Sequence, residues 1–446
     1  MERTLYIATM GCQMNEYDSD HVTQLLLKRE FKVTESPEEA DLIMINTCTV
    51  RNKAEQKAYS LLGRMVSLKR KRPGLIIGLM GCIAQQEGSR LLDKFPGLDF
   101  VLGTREICRV REILERVEKE KQRVVATDLD DQAFPSDYVK GYFKGKVASY
   151  ISIMEGCNNF CSYCIVPYVR GREVSRPLED IVNEAKTLVS QGVKEITLLG
   201  QNVNSYRAGP NEAVSFPKLL RTLNGLQGLM RIRFTTSHPK DLSEGLIKCF
   251  GELEKLCPHI HLPVQAGSNR ILKMMNRGYS RERYMELVHK LREVRPGIAI
   301  TSDVIVGFPG ESDEDFDLTL DLIRKIEFDS IYSFKYSDRK GTPAAALGGK
   351  VPEETKSARL FTLQTLQKQI TLKKNKLLEG KEVEVLVEGP SKKGGQFTGR
   401  TETNKIVNFY SDNNIIGRFV KVRIKCAFAN SLRGEIAVND KEPPGP

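Results

Sequence analysis

The chain has 446 residues, is 40% hydrophobic and 28% charged, and carries a net charge of +11. At about 150 residues per domain, this length predicts two or three domains, and the composition is that of a globular chain, not a fibrous or disordered one. No apolar run reaches the roughly 20 residues of a membrane helix, and the opening "MERTLYIATMGC" lacks the segments of a signal peptide, so a cytoplasmic protein with no membrane partner is expected.

The excess of Lys and Arg points to a polyanionic partner such as nucleic acid. Ten cysteines in a reducing compartment imply metal or redox chemistry where they recur in a pattern. Six of them do. Cys108, Cys249, Cys257 and Cys426 follow no pattern and read as small apolar residues.

Residues 3–120 repeat a unit. "LYIATMGC", "DLIMINTC" and "LIIGLMGC" end at Cys12, Cys48 and Cys82. Each is a short β-branched run that reads as a buried strand, and a helical pattern follows each. Strands alternating with helices predict a parallel α/β sheet. The three cysteines then lie just past the carboxyl ends of three strands, the edge where such sheets bind ligands. A shared metal site follows from that placement.

Residues 121–142 read as a linker. From 143 to 375 six further strands are predicted, at "KVASYISIME", "EITLLG", "MRIRFTT", "HIHLPV", "IAITSDVIVG" and "SIYSFKY". Six are too few for a closed eight-stranded barrel, so a partial (β/α)6 barrel is expected. Residues 376–439 alternate like strands between Gly, Asn and Ser turns, as in a small all-β barrel of the kind used on RNA. Residues 440–446 read as a disordered tail.

"GCNNFCSYC" follows the first barrel strand and holds Cys157, Cys161 and Cys164. A structural zinc site is closed by four protein ligands, and a bacterial ferredoxin run continues to further cysteines. Neither matches. Three thiolates on a four-iron cluster leave one iron without a protein ligand, which is the open position a catalytic metal needs.

This spacing resembles the signature of radical S-adenosylmethionine (SAM) enzymes. The resemblance implies that SAM binds the uncovered iron and yields a 5′-deoxyadenosyl radical that abstracts hydrogen from carbon. On the same resemblance Gly200, Gln201 and Asn202 meet the SAM amine, and Gly307, Phe308 and Pro309 flank the adenine. Ser237 and Gln265 are further SAM or substrate candidates. His238, His259 and His261 read as packed loop residues.

The whole chain is similar to the methylthiotransferase family of radical SAM enzymes. That likeness implies two 4Fe–4S clusters, the second on Cys12, Cys48 and Cys82, and a C-terminal TRAM-like RNA-binding domain. "MGCQMNEYDSD" and "CSYCIVPYVRGREVSRP" resemble the branch that adds a methylthio group to N(6)-dimethylallyladenosine at tRNA position 37. The alternatives are the branch acting on threonylcarbamoyladenosine and a non-catalytic iron–sulfur RNA-binding protein. Implied partners are the tRNA anticodon stem-loop, an electron donor such as flavodoxin or ferredoxin, and a sulfur or cluster donor, with the enzyme a monomer.

Candidate phosphate contacts are Lys392, Lys393, Arg400, Lys421, Arg423 and Lys425, with Phe397, Phe409 and Tyr410 as stacking faces. The run "KRKR" at 69–72 is a second basic candidate. Arg172 and Arg176 read either as substrate or SAM contacts or as salt-bridge residues.

Overall fold

The computed structural model describes residues 3–29, 31–49, 52–129, 142–391 and 394–437. Most of the expected linker, Lys392, Lys393 and the tail at 440–446 lie outside the described residues.

The N-terminal domain is a six-stranded, all-parallel sheet. Its strands are β1 (Arg3–Thr9), β2 (Phe31–Val33), β3 (Leu42–Thr47), β4 (Ile76–Gly81), β5 (Phe100–Leu102) and β6 (Val124–Ala126), in the order β2-β1-β3-β4-β5-β6. Its helices are α1 (Gln13–Leu27), α2 (Asn52–Lys71), α3 (Cys82–Glu87), α4 (Arg90–Lys94) and α5 (Val110–Glu120). They cover both faces, so every residue of β3 is buried and its sequence is apolar nearly throughout. One apolar core holds Ile43, Ile45, Leu62 and Ile77, and the other holds Leu5, Leu42, Met44 and Phe100. The alternation of these neighbours between two cores is the period-2 pattern of a strand covered on both sides. The helical pattern after Cys82 breaks at Gly88, giving α3 and α4 instead of one helix.

All six expected barrel strands form. β7 (Ala148–Ser152), β10 (Glu195–Leu199) and β13 (Arg231–Phe234) make one parallel sheet, and β14 (His259–His261), β15 (Ala299–Val306) and β16 (Ser330–Lys335) make another. Short antiparallel pairs decorate the loops: β8 (Met154–Glu155) with β9 (Val174–Ser175), and β11 (Arg207–Ala208) with β12 (Val214–Ser215). α6 (Val166–Arg170) follows the cysteine loop. The outer helices are α7 (Leu178–Ser190), α8 (Phe216–Asn224), α9 (Glu244–Glu252), α10 (Asn269–Met274), α11 (Arg281–Val294), α12 (Asp313–Ile326) and α13 (Glu353–Lys376). One continuous core lies between strands and helices, with Ile196, Ile232, Phe234, Leu287 and Ile323 among its members. α12 opens on a full capping box, Ser312 with Asp315, which satisfies two of its otherwise unpaired backbone N–H groups.

The C-terminal domain is a closed five-stranded barrel of β17 (Glu382–Pro390), β18 (Phe397–Thr401), β19 (Ile406–Phe409), β20 (Phe419–Ala427) and β21 (Leu432–Ile436), ordered β17-β18-β19-β21-β20. Closure leaves no free edge. It docks on the partial barrel through arginines of β13. Arg231 donates to the Arg400 carbonyl and to Glu384, both at 2.9 Å. Arg233 donates to the Thr401 and Glu402 carbonyls at 2.8 Å. Lys405 Nζ joins Asp329 at 3.1 Å and Asn375 Oδ1, on α13, at 2.9 Å. Among the described residues no helix is long and apolar enough to cross a membrane.

Candidate active site at two cysteine sets

Cys12 is the N-cap of α1 and Cys82 the first residue of α3, while Cys48 follows the end of β3. Helix N-termini favour thiolate. Two glycines let the chain turn tightly here. Gly11 has φ 141° and Gly81 φ 92°. A Cβ on Gly11 would stand 2.5 Å from Cys48 Cβ, and one on Gly81 would stand 2.5 Å from Asn46 Oδ1 and from the Thr47 carbonyl oxygen. The repeated Met-Gly-Cys is thus a geometric demand.

Beneath the three cysteines lies a buried amide pair. Asn15 Nδ2 donates to Asn46 Oδ1 at 2.7 Å and to the Thr47 carbonyl at 2.9 Å, and Asn46 Nδ2 donates back to the Asn15 carbonyl at 2.8 Å. A hydrogen bond from Cys48 and the positive charge of Arg170 draw the Cys12 thiol down to about 6. Burial raises Cys82.

In the second set, Cys157, Cys161 and Cys164 interact electrostatically with one another. Burial pushes Cys157 up and Cys164 up to about 12. The loop is pinned at both ends. Gln201 Oε1 accepts from the Gly156 N–H at 2.5 Å, and Asn276 Nδ2 donates to the Phe160 carbonyl at 3.0 Å. Arg277, which the sequence reading did not single out, is buried against the loop. Its Nη1 donates to Cys161 Sγ at 3.2 Å and to Tyr163 Oη at 3.3 Å, and its Nη2 donates to the Pro263 carbonyl at 2.7 Å.

The remaining candidates sit on neighbouring strand ends. Gly200 is closed in by Met154, whose Cγ would be 2.5 Å from a Cβ there. Asn202 Nδ2 donates to Asp241 at 2.7 Å. Asn202 Oδ1 and Ser237 Oγ are buried without a hydrogen-bond partner. Gln265 has φ 74° and is bridged to β15 by its backbone. Gly307 and Phe308 both donate their N–H groups to Glu311 Oε2. Phe308 is fully buried with its ring 5.3 Å from Tyr336, and Pro309 is buried beside it. At this loop the backbone is therefore what a ligand would meet, and the Phe308 ring serves the core. His238 Nε2 lies 3.9 Å from Cys161 Sγ, and burial lowers its pKa to about 2. His261 bonds Thr301 at 3.0 Å.

The other candidates divide clearly. Arg176 is a buried salt-bridge residue, 2.6 Å from Glu184 and 2.7 Å from the Ser152 carbonyl. Arg172 is exposed, its guanidinium 5.6 Å from the centre of the Phe160 ring. Arg400, Arg423 and Lys425 pair with Glu388, Glu382 and Glu435. Phe409 is core, Phe397 packs at its margin, and Tyr410 is exposed. Lys421 is exposed too. Of the run at 69–72, Lys69 pairs with Asp99 and Arg72 with Asp41.

The two cysteine sets adjoin. Cys82 packs against Ile165 and Val169, the first of which follows Cys164 directly. Thr104 Oγ1 donates to the Val169 carbonyl at 2.7 Å, and Arg105 to the Arg172 carbonyl at 2.6 Å. Among the described residues no group of three or more His, Cys, Asp and Glu is gathered to hold a single metal ion. Three thiols per set without a fourth protein ligand fit a cubane cluster, whose thiolates sit on separate irons. The unpaired Asn202 Oδ1 and Ser237 Oγ fit a polar ligand at the strand ends, since buried polar atoms are normally paired.

Three family models match parts of the chain. Residues 151–323 match the Radical SAM superfamily, residues 4–103 the uncharacterized protein family UPF0004, and residues 376–437 the TRAM domain. The chain is 53% identical over 436 residues to the tRNA-2-methylthio-N(6)-dimethylallyladenosine synthase of Syntrophus aciditrophicus, covering 98% of this chain and 95% of that one. It is 48% identical to the synthase of the same name from Geobacter sulfurreducens, covering 98% of each. Among solved structures, the radical SAM methyltransferase TsrM of Kitasatospora setae shares the fold, with a TM-score of 0.56, 15% identity and 77% of each chain covered. By sequence over nearly its whole length, the chain belongs to the tRNA-2-methylthio-N(6)-dimethylallyladenosine synthase family of radical SAM enzymes.

Proposed function

We propose that this chain adds a methylthio group to carbon 2 of N(6)-dimethylallyladenosine at tRNA position 37. The observation that carries the reading is the junction of Cys82 with Ile165 and Val169, which puts both cysteine sets beside one another. The enzyme uses SAM and two 4Fe–4S clusters, as its family does. Cys157, Cys161 and Cys164 would hold one cluster and Cys12, Cys48 and Cys82 the other. When bound, these groups supply the radical, the methyl group and the sulfur.

The chain's own residues then orient and enclose. Arg277 donates from its buried guanidinium to Cys161 Sγ and so fixes the cysteine loop in place. Gln201 fixes the turn at Gly156. Asn202 and Ser237 offer their unpaired oxygens to the SAM amine, and the Gly307–Pro309 backbone borders the adenine. Gln265 borders the same space.

The inner face of the partial barrel offers a berth for the base. On β16, Ile331 packs on the core and Ser333 is bonded by Gln364 of α13. Tyr332 and Phe334 therefore face the opposite side, and they stay 56% and 38% exposed. An exposed aromatic pair inside a barrel suits a flat base and its apolar prenyl group, since stacking on an aromatic ring contributes about 1–3 kcal/mol per base.

We further infer that the C-terminal barrel grips the anticodon stem-loop, with Tyr410 and Lys421 on its open surface. A flavodoxin or ferredoxin would deliver electrons and a separate donor would renew sulfur, the enzyme working as a cytoplasmic monomer. The division into 3–120, 143–375 and 376–439 follows the same reading. The test is anaerobic: reconstituted protein, SAM, reductant and a stem-loop carrying dimethylallyladenosine, with mass spectrometry of nucleoside and 5′-deoxyadenosine. Methylthio product with deoxyadenosine is expected. Product only on the threonylcarbamoyl stem-loop would move the substrate to the neighbouring branch, and RNA binding without deoxyadenosine would leave a binding protein.

A further inference from the structure

Arg170 ends α6, six positions after Cys164, and its charge lies between an acid of its own domain, Glu155, and one of the other, Asp18. Its side chain is 4% exposed. Nη2 donates to Asp18 Oδ2, on α1, at 2.9 Å. Nη1 stands 3.6 Å from Glu155 Oε1, beyond hydrogen-bond range, and is buried without a hydrogen-bond partner. Glu155 is the residue two before Cys157, so the guanidinium touches both sides of the junction. It also interacts electrostatically with Cys12 and Cys82.

A salt bridge needed only for packing would be complete with Asp18. A buried N–H left unmade is costly, and a desolvated guanidinium acts strongly on nearby anions. Arg170 directly follows Val169, which packs against Cys82.

We propose that Arg170 is a positioning residue for both cysteine sets: it ties α1 to the radical cysteine loop and holds a fixed positive charge against the thiolates and any sulfide at Cys12 and Cys82. The inference rests on the reading of Cys12, Cys48 and Cys82 as a cluster site. No bond is made or broken by Arg170 itself. A nearby positive charge favours the reduced, more negative form of that cluster.

The test uses full-length protein with Cys157, Cys161 and Cys164 all replaced by Ala, so that a single cluster remains. Its midpoint potential is read by redox titration with electron paramagnetic resonance. Arg170→Gln is expected to shift the potential to more negative values, and Arg170→Lys to restore it most of the way. Asp18→Asn removes the compensating carboxylate and keeps the guanidinium, so the shift is expected in the positive direction. A merely structural link predicts lower melting temperatures in all three variants with equal potentials, and that result would overturn the proposal.

Should Arg170→Gln fail to fold, Asp18→Asn and Arg170→Lys decide alone: unchanged potential in Asp18→Asn overturns it. If the triple Ala protein holds no cluster, the site reading falls and this inference with it. In the enzyme with all six cysteines, Arg170→Gln is expected to lower methylthio product per deoxyadenosine by about tenfold, the worth of one charge-assisted hydrogen bond.

Discussion

Arg277 and Cys161 lie 116 residues apart in sequence, yet Nη1 of the one donates to Sγ of the other across 3.2 Å. Arg277 is almost fully buried, and its remaining N–H groups reach Pro263 and Tyr279. The cysteine loop of the first barrel strand is thereby fastened to the turn after α10. Replacing Arg277 by Met is expected to cut 5′-deoxyadenosine formation by about tenfold or more, because a charge-assisted hydrogen bond to the thiolate is lost. Deoxyadenosine release without RNA measures it, and an unchanged rate would remove Arg277 from the site.

On the proposed assignment the two cysteine sets divide the work. Cys161→Ala is expected to abolish deoxyadenosine formation and methylthio product together. Cys48→Ala is expected to keep deoxyadenosine and lose the product. Chromatography of both products from the same reaction separates them, and normal product from Cys48→Ala would refute the assignment of the N-terminal set.

Tyr332→Ala and Phe334→Ala are each expected to raise KM for the dimethylallyladenosine stem-loop by about tenfold, within the stacking range of 1–3 kcal/mol. Deoxyadenosine release without RNA should persist. Equal KM values would place the base elsewhere.

Arg233 stands 2.9 Å from Glu195, and both are buried. Arg233→Ala leaves a carboxylate unpaired and cuts two bonds to the C-terminal barrel, so stability is expected to fall by about 3–5 kcal/mol. Urea unfolding followed by circular dichroism reports this, and a loss below about 1 kcal/mol would show the carboxylate relaxing into water.

In cluster-free protein, Cys12 is exposed and its thiol is drawn down to about 6, first by the Cys48 hydrogen bond. Iodoacetamide labelling of Cys12, read by peptide mass spectrometry, is therefore expected to reach half its maximal rate near pH 6. Cys164, pushed up to about 12, should stay slow throughout. The folded thiol is more acidic than the unfolded one. Its contribution to stability is thus complete above the ordinary cysteine value of about 8.5 and is lost as pH falls through about 6. A Cys12 midpoint near 8.5 would contradict the Cys48 and Arg170 interactions.

The six strands of the partial barrel and the three that end in cysteine are plain in the sequence, because buried parallel strands are continuous β-branched runs. The three-residue strands β2, β5 and β6 are not, whereas β14, equally short, is legible because it sits in the longer apolar stretch "HIHLPV". Cys12, Cys48 and Cys82 are legible because each stands just past a strand-like apolar run in three successive units. Arg170 and Arg277 stayed hidden because their partners, Asp18 and Cys161, are remote in sequence and a lone arginine beside a glycine looks like any turn. Arg176 is open in the sequence between a ligand contact and a salt bridge, and its burial against Glu184 decides for the salt bridge.

Lys405 joins the start of β16 to the end of α13 by two short bonds, and the β13 arginines hold the same barrel from a second side. Three anchors at separate points tie the C-terminal barrel to the partial barrel. On the proposed seating of a stem-loop there, the barrel would act as a ruler. The nucleotide reaching the cysteines would then be set by its distance along the loop from the held backbone, and lengthening the loop by one nucleotide would present the wrong base.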